Sequence, residues 1–160
     1  MKTKYKPKEK FMQEAISIAK RDFKKHEEQR IGAVIVKNNK IIAKSANRIL
    51  RDVDPSSHAE IAAMRLACKR LKSLDMSGCI LYTTNEPCCM CTGAVVWGKM
   101  KGIVCGANVK DLEKKMKKQG KNFEFFITCE EILKRQKPRI TFLIKNFMRK
   151  QCVEFTKLKN

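Results

Sequence analysis

The sequence lacks any apolar run long enough to cross a membrane. A spanning helix needs about 20 consecutive apolar residues, and the chain contains no such stretch. Residues 1–6 also lack the apolar centre of a secretory signal peptide. We therefore expect a cytoplasmic protein with no membrane partner. Its 160 residues suffice for a single domain with a real core over 1–160, with 1–8 as a frayed basic arm.

Acidic residues are scarce. The chain has 16 Asp and Glu against 36 Lys and Arg, which gives a formal net charge of +20. Such a surface attracts polyanions and speeds their encounter with the protein. Lysines that merely keep the surface hydrated are the alternative explanation. They account less well for the missing acids, because solvated surfaces usually mix both signs.

Histidine is rarer still, whereas cysteine is frequent: the chain has 2 His and 8 Cys. A disulfide framework is not expected, because no export signal accompanies these cysteines. Only Cys88 and Cys91 have the spacing of metal ligands. The other cysteines are assigned to apolar packing (Cys68, Cys79, Cys105) or to no function (Cys89, Cys129, Cys152).

One of the two histidines belongs to a paired motif. His58-Ala59-Glu60 and the later Pro87-Cys88-Cys89-Met90-Cys91 together read H-x-E and P-C-x-x-C. One imidazole and two thiolates can hold a zinc ion and leave its fourth position open. The carboxylate of Glu60 can then move protons beside the metal. The pair of motifs indicates a hydrolytic enzyme in which water displaces ammonia from a ring.

A closed, purely structural zinc site is the alternative. It needs a fourth protein ligand, yet His26 has no partner spacing and Cys89 directly adjoins a ligand. Two thiolates also nearly cancel the charge of zinc, so the ion should acidify its bound water less strongly. A nearby base is then needed to take the proton from that water. Glu60 is the candidate to take a proton from the attacking water and to deliver protons to a ring nitrogen and to the leaving amine.

Hydrophobic periodicity and turn residues predict alternating helices and strands. Helices are predicted over 8–25, 58–71, 88–99 and 109–118, from a capping box at Thr128-x-x-Glu131, and at the end of the chain around Phe147, Met148, Val153, Phe155 and Leu158. Strands are predicted over 31–36, 40–43, 79–84, 102–106 and 139–144. This alternation predicts an α/β fold, a three-layer sandwich with helices on both faces of a sheet.

At these motifs the chain resembles the cytidine deaminase superfamily, in its branch of bacterial guanine deaminases and tRNA-specific adenosine deaminases. The resemblance includes three stretches of the sequence, 32–36, 54–60 and 85–94, and the single residue Asn47. It implies a mixed five-stranded sheet flanked by helices (a three-layer α/β/α sandwich), and a homodimer. It also implies one zinc ion per subunit, bound by His58, Cys88 and Cys91.

The resemblance also implies roles for other residues. Glu60 would be the catalytic proton shuttle, Asn47 would hydrogen-bond the purine edge, and the Ala59 backbone N–H would contact the oxygen or amine at the reacting carbon. Asp111 falls near an aspartate that assists at the substrate in guanine deaminases. The chain has no Gly-Ala-Gly-Ser-like stretch after its fourth strand, although the tRNA-editing members usually carry one.

The charge favours a nucleic acid instead, because a free base needs no +20 surface. Basic residues near the C-terminus could line an RNA path: Lys134, Arg135, Arg149 and Lys150. We place adenosine in a tRNA anticodon loop slightly ahead of free guanine or a nucleoside, with cytosine and cytidine behind. A basic nucleic-acid-binding protein with a structural zinc is the alternative that is not an enzyme, and the intact Glu60 argues against it.

Overall fold

A computed structural model describes residues 3–26, 30–118, 120 and 127–156. The strands are β1 (Gly32–Lys37), β2 (Lys40–Ala46), β3 (Ile80–Asn85), β4 (Gly102–Ala107) and β5 (Phe142–Ile144). The helices are α1 (Glu9–His26), α2 (Ile49–Asp52), α3 (Ala59–Leu71), α4 (Cys89–Trp97), α5 (Val109–Lys118), α6 (Cys129–Lys134) and α7 (Arg149–Thr156). Within this part of the chain, no helix is both long and apolar enough to span a membrane.

The strands form one mixed sheet in the order β2-β1-β3-β4-β5. β1 pairs antiparallel with both β2 and β3, whereas β3, β4 and β5 are parallel to one another. β2, β3 and β4 therefore run in the same direction, and their carboxyl ends lie at one edge of the sheet. α4 and α5 directly follow β3 and β4 in the chain, and α3 follows β2 after the short helix α2. These three helices therefore begin near that edge.

Helices cover both faces of the sheet, as the alternation predicted. One core cluster joins the sheet to α3, α4 and α6, through residues such as Ala63, Val95 and Leu133. The other cluster joins it to α1 and α7, through Phe11 and Cys152. The predicted three-layer sandwich with a mixed five-stranded sheet is thus confirmed.

The start of the chain differs from its prediction. The arm 1–8 was expected to fray, but the described part of it, residues 3–8, packs on the sheet. The Tyr5 hydroxyl lies 2.6 Å from the Tyr82 hydroxyl, and the Tyr5 ring stacks on Phe142 with centroids 5.1 Å apart. The Lys8 backbone N–H also donates to the Tyr82 hydroxyl. The alternating lysines led to the prediction of a solvated arm, whereas the side chain of Tyr5, between them, fixes this segment on the sheet.

Two elements near the C-terminus are shorter than predicted. β5 begins only at Phe142, whose N–H donates to the Lys101 carbonyl, whereas the preceding Thr141 N–H donates to the Gln136 side chain. α7 begins at Arg149, so Phe147 and Met148 precede it, although both pack against the second core cluster. Leu158 lies outside the described residues. The short helix α2 was not predicted.

Candidate active site

The candidate metal ligands lie at the starts of two helices. His58 is the N-cap of α3 and Cys88 is the N-cap of α4, both with extended backbone conformations, and Cys91 lies in the first turn of α4. The His58 Nδ1 atom is 3.6 Å from each of the two sulfurs. All three ligand atoms lie within 4.8 Å of one another. The sheet edge thus brings the two motifs together as the sequence predicted.

The donor atoms fit a zinc ion. A nitrogen and a sulfur bound to one tetrahedral zinc, at about 2.1 and 2.3 Å, are expected about 3.6 Å apart. Among the described residues, this group holds only His58, Cys88 and Cys91. His26, at the end of α1, and Cys89, beside a ligand, do not belong to it. The arrangement matches the three-ligand pattern of catalytic zinc and not the four-ligand pattern of structural zinc.

The two thiols interact strongly with each other. The hydrogen bond from Cys91, supported by His58 and opposed by burial, lowers the pKa of Cys88. The same contact, with burial, raises the pKa of Cys91. The protein groups alone therefore favour one thiolate and one thiol, and a divalent cation between the sulfurs would favour two thiolates.

Glu60 faces this cluster from the first turn of α3. Its side chain is buried, with 3% of the residue exposed. One carboxylate oxygen accepts a hydrogen bond from the Thr83 hydroxyl at 2.8 Å, and the other accepts one from the Cys91 thiol at 3.7 Å. Burial raises the pKa of Glu60, partly opposed by its hydrogen bonds. A buried carboxyl that takes up protons readily suits a group that carries them.

Asn47 follows β2 and is 1% exposed. Its backbone is held at both ends, because its N–H donates to Ile31 and its carbonyl accepts from Arg51. Its side-chain Oδ1 atom is buried and has no hydrogen-bond partner among the residues that the structure describes. An unpaired buried acceptor costs free energy unless a ligand or water satisfies it. Ala59 is the first residue of α3, where the backbone N–H has no acceptor within the helix.

The segment before His58 is held by a polar network that the sequence analysis did not predict. Asp54 accepts hydrogen bonds from the Ser56 hydroxyl and N–H and from Arg65. The two bonds from Ser56 are the main reason that the pKa of Asp54 falls to about 2. Asp52 accepts from Arg48 and from Ser57 in the same segment. The Asp-Pro-Ser-Ser turn was the only sequence signal for this arrangement.

Asp111 is occupied by other groups. It accepts from the Asn108 N–H at 3.0 Å, while Asn108 accepts in return from the Asp111 N–H, so the pair caps α5. Arg149 donates two hydrogen bonds to the same carboxylate. Burial opposes ionisation of Asp111, but the bonds from Arg149 and Asn108 outweigh it and lower the pKa. The contact of Asp111 with a substrate remains a prediction.

The basic residues assigned to an RNA path lie on α6 and α7 and near them. Arg149 pairs with Asp111, and Lys134 lies 3.7 Å from Glu130. Arg135 is the C-cap of α6, and Lys150 is exposed in the first turn of α7. Two of the four candidates therefore have acidic neighbours within the protein. Their contact with nucleic acid remains a prediction.

A family model described as the cytidine and deoxycytidylate deaminase zinc-binding region matches residues 5–107. A guanine deaminase of Bacillus subtilis is 46% identical over 80 residues, which are 50% of this chain and 51% of that protein. A tRNA-specific adenosine deaminase of Aquifex aeolicus is 42% identical over 100 residues, 62% of this chain and 66% of that protein. The chain thus spans between half and two thirds of the length of these relatives.

A solved structure extends the similarity to most of the fold. It comes from a study of A-to-I editing by tRNA:A34 deaminases at the wobble position, and it superposes with a TM-score of 0.75 at 26% identity. The superposition covers 92% of this chain and 99% of that one. The similarity to known structures therefore includes the elements that follow residue 107.

Proposed function

The chain belongs to the cytidine and deoxycytidylate deaminase zinc-binding family, and from this premise we propose that it is a zinc-dependent hydrolytic deaminase acting on a purine. Adenosine in tRNA, converted to inosine, is the favoured substrate. The observation that carries the proposal is the position of the Glu60 carboxylate, which is buried beside the three-ligand cluster with one oxygen 3.7 Å from the Cys91 sulfur. A structural zinc site has no use for such a carboxylate.

His58, Cys88 and Cys91 would hold the zinc ion. When bound, zinc supplies a Lewis acid and makes water a stronger nucleophile near neutral pH. Water and the purine amine are converted into a ring carbonyl and ammonia. In this exchange, Glu60 takes one proton from the attacking water and gives it to the ring nitrogen, and then carries the second proton of that water to the departing amine, which leaves as ammonia.

The purine would be oriented by two groups: the side chain of Asn47, which follows β2, and the backbone N–H of Ala59, which follows His58 in the sequence. The unpaired Asn47 Oδ1 accepts a hydrogen bond from the purine edge. The Ala59 N–H, at the start of α3, donates to the oxygen or amine at the reacting carbon. Both groups would then be satisfied only in the complex, which favours binding of a polar ring over an apolar one.

Three observations favour tRNA adenosine. The net charge of +20 suits a polyanion. The Aquifex aeolicus relative is named a tRNA-specific adenosine deaminase. Asp111, the aspartate expected to assist with guanine, already accepts hydrogen bonds from Arg149 and Asn108.

Guanine is the second candidate, favoured by the 46% identity to a guanine deaminase. The deciding experiment is an ammonia-release panel on the full chain, with guanine, adenosine, cytosine, cytidine and a tRNA anticodon stem-loop. Release from the stem-loop alone supports the favoured substrate, and release from guanine replaces it with the second candidate. Release from none of them, by protein with a full complement of zinc, contradicts the proposal of a purine deaminase.

We further propose a cytoplasmic homodimer. Large apolar side chains that are mostly exposed in the single chain support a covered surface: Leu50, Val53 and Trp97, with Val53 at 89% exposed. Sedimentation analysis of the wild type and of Leu50→Asp tests this. A monomeric wild type contradicts the dimer, and cell fractionation tests the location.

A further inference from the structure

Glu86 is a buried acid that the proposed chemistry does not use. It lies directly after β3 and two residues before Cys88, and 6% of it is exposed. Burying a carboxylate is costly unless hydrogen-bond donors surround it. Glu86 meets this requirement through backbone groups from two helices that are distant from it in sequence.

Each carboxylate oxygen of Glu86 serves a different helix. Oε2 accepts from the N–H of Val109, the first residue of α5, at 3.3 Å. Oε1 accepts from the N–H of Cys129, the first residue of α6, at 3.2 Å. These N–H groups have no acceptor within their own helices, and the positive ends of the helix dipoles favour a negative charge there. One side chain therefore joins two helix starts.

The backbone around Glu86 is fixed as well. Its own N–H donates to the Ala107 carbonyl at 2.7 Å, at the end of β4. On the other side, the Thr92 hydroxyl donates to the Cys88 carbonyl at 2.9 Å. Cys129, the first residue of α6, lies in the same core cluster as Val95 of α4, so α6 packs against α4. The short segment between β3 and α4 is held from both sides.

We propose that Glu86 is a positioning residue for the metal centre: its carboxylate joins the starts of α5 and α6 to the segment that carries Cys88. The inference rests on the proposed zinc site. Without the carboxylate, the first N–H groups of α5 and α6 lose their hydrogen bonds to this segment, and the direction of the Cys88 and Cys91 side chains becomes less well defined. Groups that orient metal ligands typically change metal affinity by roughly 10- to 100-fold when removed.

Glu86→Gln tests the proposal, because the amide keeps the size of the side chain but turns one acceptor into a donor that faces an N–H. Glu131→Gln is the matched control. Glu131 caps the same helix α6 from its exposed side, where it accepts from the Thr128 N–H at 2.8 Å, and it has no contact with the Cys88 segment among the hydrogen bonds described. Both variants lower the melting temperature if capping matters only for stability.

The measurement is the rate of zinc release to a chromogenic chelator, at a temperature where all variants are folded, together with zinc content. We expect release from Glu86→Gln to be roughly 10-fold faster or more than from wild type, and release from Glu131→Gln to match wild type. Equal release from both variants, or from Glu86→Gln and wild type, overturns the role of Glu86.

Val109→Pro provides a second variant should Glu86→Gln fail to fold. Proline is well tolerated at the first position of a helix, so this change deletes one N–H donor to Glu86 and leaves α5 intact. Release intermediate between wild type and Glu86→Gln, or faster than wild type when measured alone, supports the proposal, and unchanged release opposes it. A wild type that binds no zinc overturns the proposed function itself, which separates that failure from failure of Glu86 alone.

Discussion

The segments that lead into α3 and α4 both position metal ligands, but different kinds of interaction hold the two segments in place. Each ends in an N-cap residue that supplies a metal ligand, His58 in one and Cys88 in the other. The α3 segment is held by half-exposed and exposed ion pairs, such as Arg65 with Asp54 at 3.3 Å. The α4 segment is held by the buried carboxylate of Glu86.

The difference corresponds to the number of metal ligands that each segment supplies. The α3 segment supplies one ligand, and exposed ion pairs contribute little and weaken with salt. The α4 segment supplies two ligands, so a small displacement of its backbone affects both sulfurs together. Buried hydrogen bonds to a charged group are stronger and are not screened. We therefore expect the centre to depend more on the α4 segment than on the α3 segment.

The largest effect is expected from removing a ligand of the α4 segment. Cys88→Ala leaves one nitrogen and one sulfur, too few donors for a tightly held zinc ion. Zinc content falls close to zero, and ammonia release falls to background. Atomic absorption and a coupled ammonia assay measure the two losses. Full zinc content in this variant would contradict the ligand assignment.

Glu60→Ala separates binding from chemistry on the α3 side. Glu60 does not belong to the ligand group, so zinc content should remain at the wild-type level. Loss of a proton carrier costs roughly 10²- to 10⁴-fold in rate. The same two assays apply, with Cys88→Ala as the comparison. Normal turnover by the Glu60 variant would show that another group moves the protons.

Asp111→Asn examines a third helix start, at α5. It removes the charge that Arg149 contacts, and because Arg149 is half-exposed we expect a loss of about 0.5–1 kcal/mol in the free energy of unfolding. Zinc content and ammonia release from the stem-loop should stay unchanged. Denaturant unfolding gives the stability, and the substrate panel gives the activity. A selective loss of guanine deamination would instead assign Asp111 to the substrate.

The smallest effect is expected from the α3 network. The pKa of Asp54 is lowered to about 2 from 3.8, so its ionised form stabilises the fold above about pH 4 and this contribution is lost as the pH falls towards 2. Asp54→Asn should therefore flatten the acid side of a plot of melting temperature against pH. Asp75→Asn is the matched control, because the pKa of Asp75 is also about 2 through the same contacts with a serine two residues on.

Zinc release distinguishes these two aspartates. Asp54 lies in the segment before His58 and Asp75 does not, so only Asp54→Asn should speed release, and by less than Glu86→Gln. A larger effect from Asp54→Asn than from Glu86→Gln would reverse the comparison between the two segments.

The sequence predicted the order of the major elements and the approach of His58 to Cys88 and Cys91, because both depend on local patterns, while the binding of zinc by these three residues stays a prediction. Periodicity predicted helix 109–118, and the structure has α5 at Val109–Lys118. The motif spacing predicted that His58 would meet Cys88 and Cys91, and all three ligand atoms lie within 4.8 Å of one another. Cysteine and histidine in such patterns have few other uses.

Features that depend on distant contacts escaped prediction. In the sequence, Glu86 is an acidic residue next to a proline, with no sign of a special role. Its hydrogen bonds to the first residues of α5 and α6 depend on how these helices pack in the fold. The pairing of Asp111 with Arg149 joins residues far apart in the sequence, one assigned to a purine and the other to RNA. The side-chain hydrogen bonds of Gln136 to Thr141, just before β5, have no periodic signature.

The contact between Tyr5 and Tyr82 limits how the N-terminus can be changed for expression and purification. A shortened version beginning at Phe11 would remove the ring that stacks on Phe142 and leave the buried Tyr82 hydroxyl without its contacts to Tyr5 and Lys8. An affinity tag fused close to Tyr5 would lie next to the same contacts. Purification handles are better attached through a spacer, and recombinant versions should retain the first lysine-rich residues even though they look dispensable.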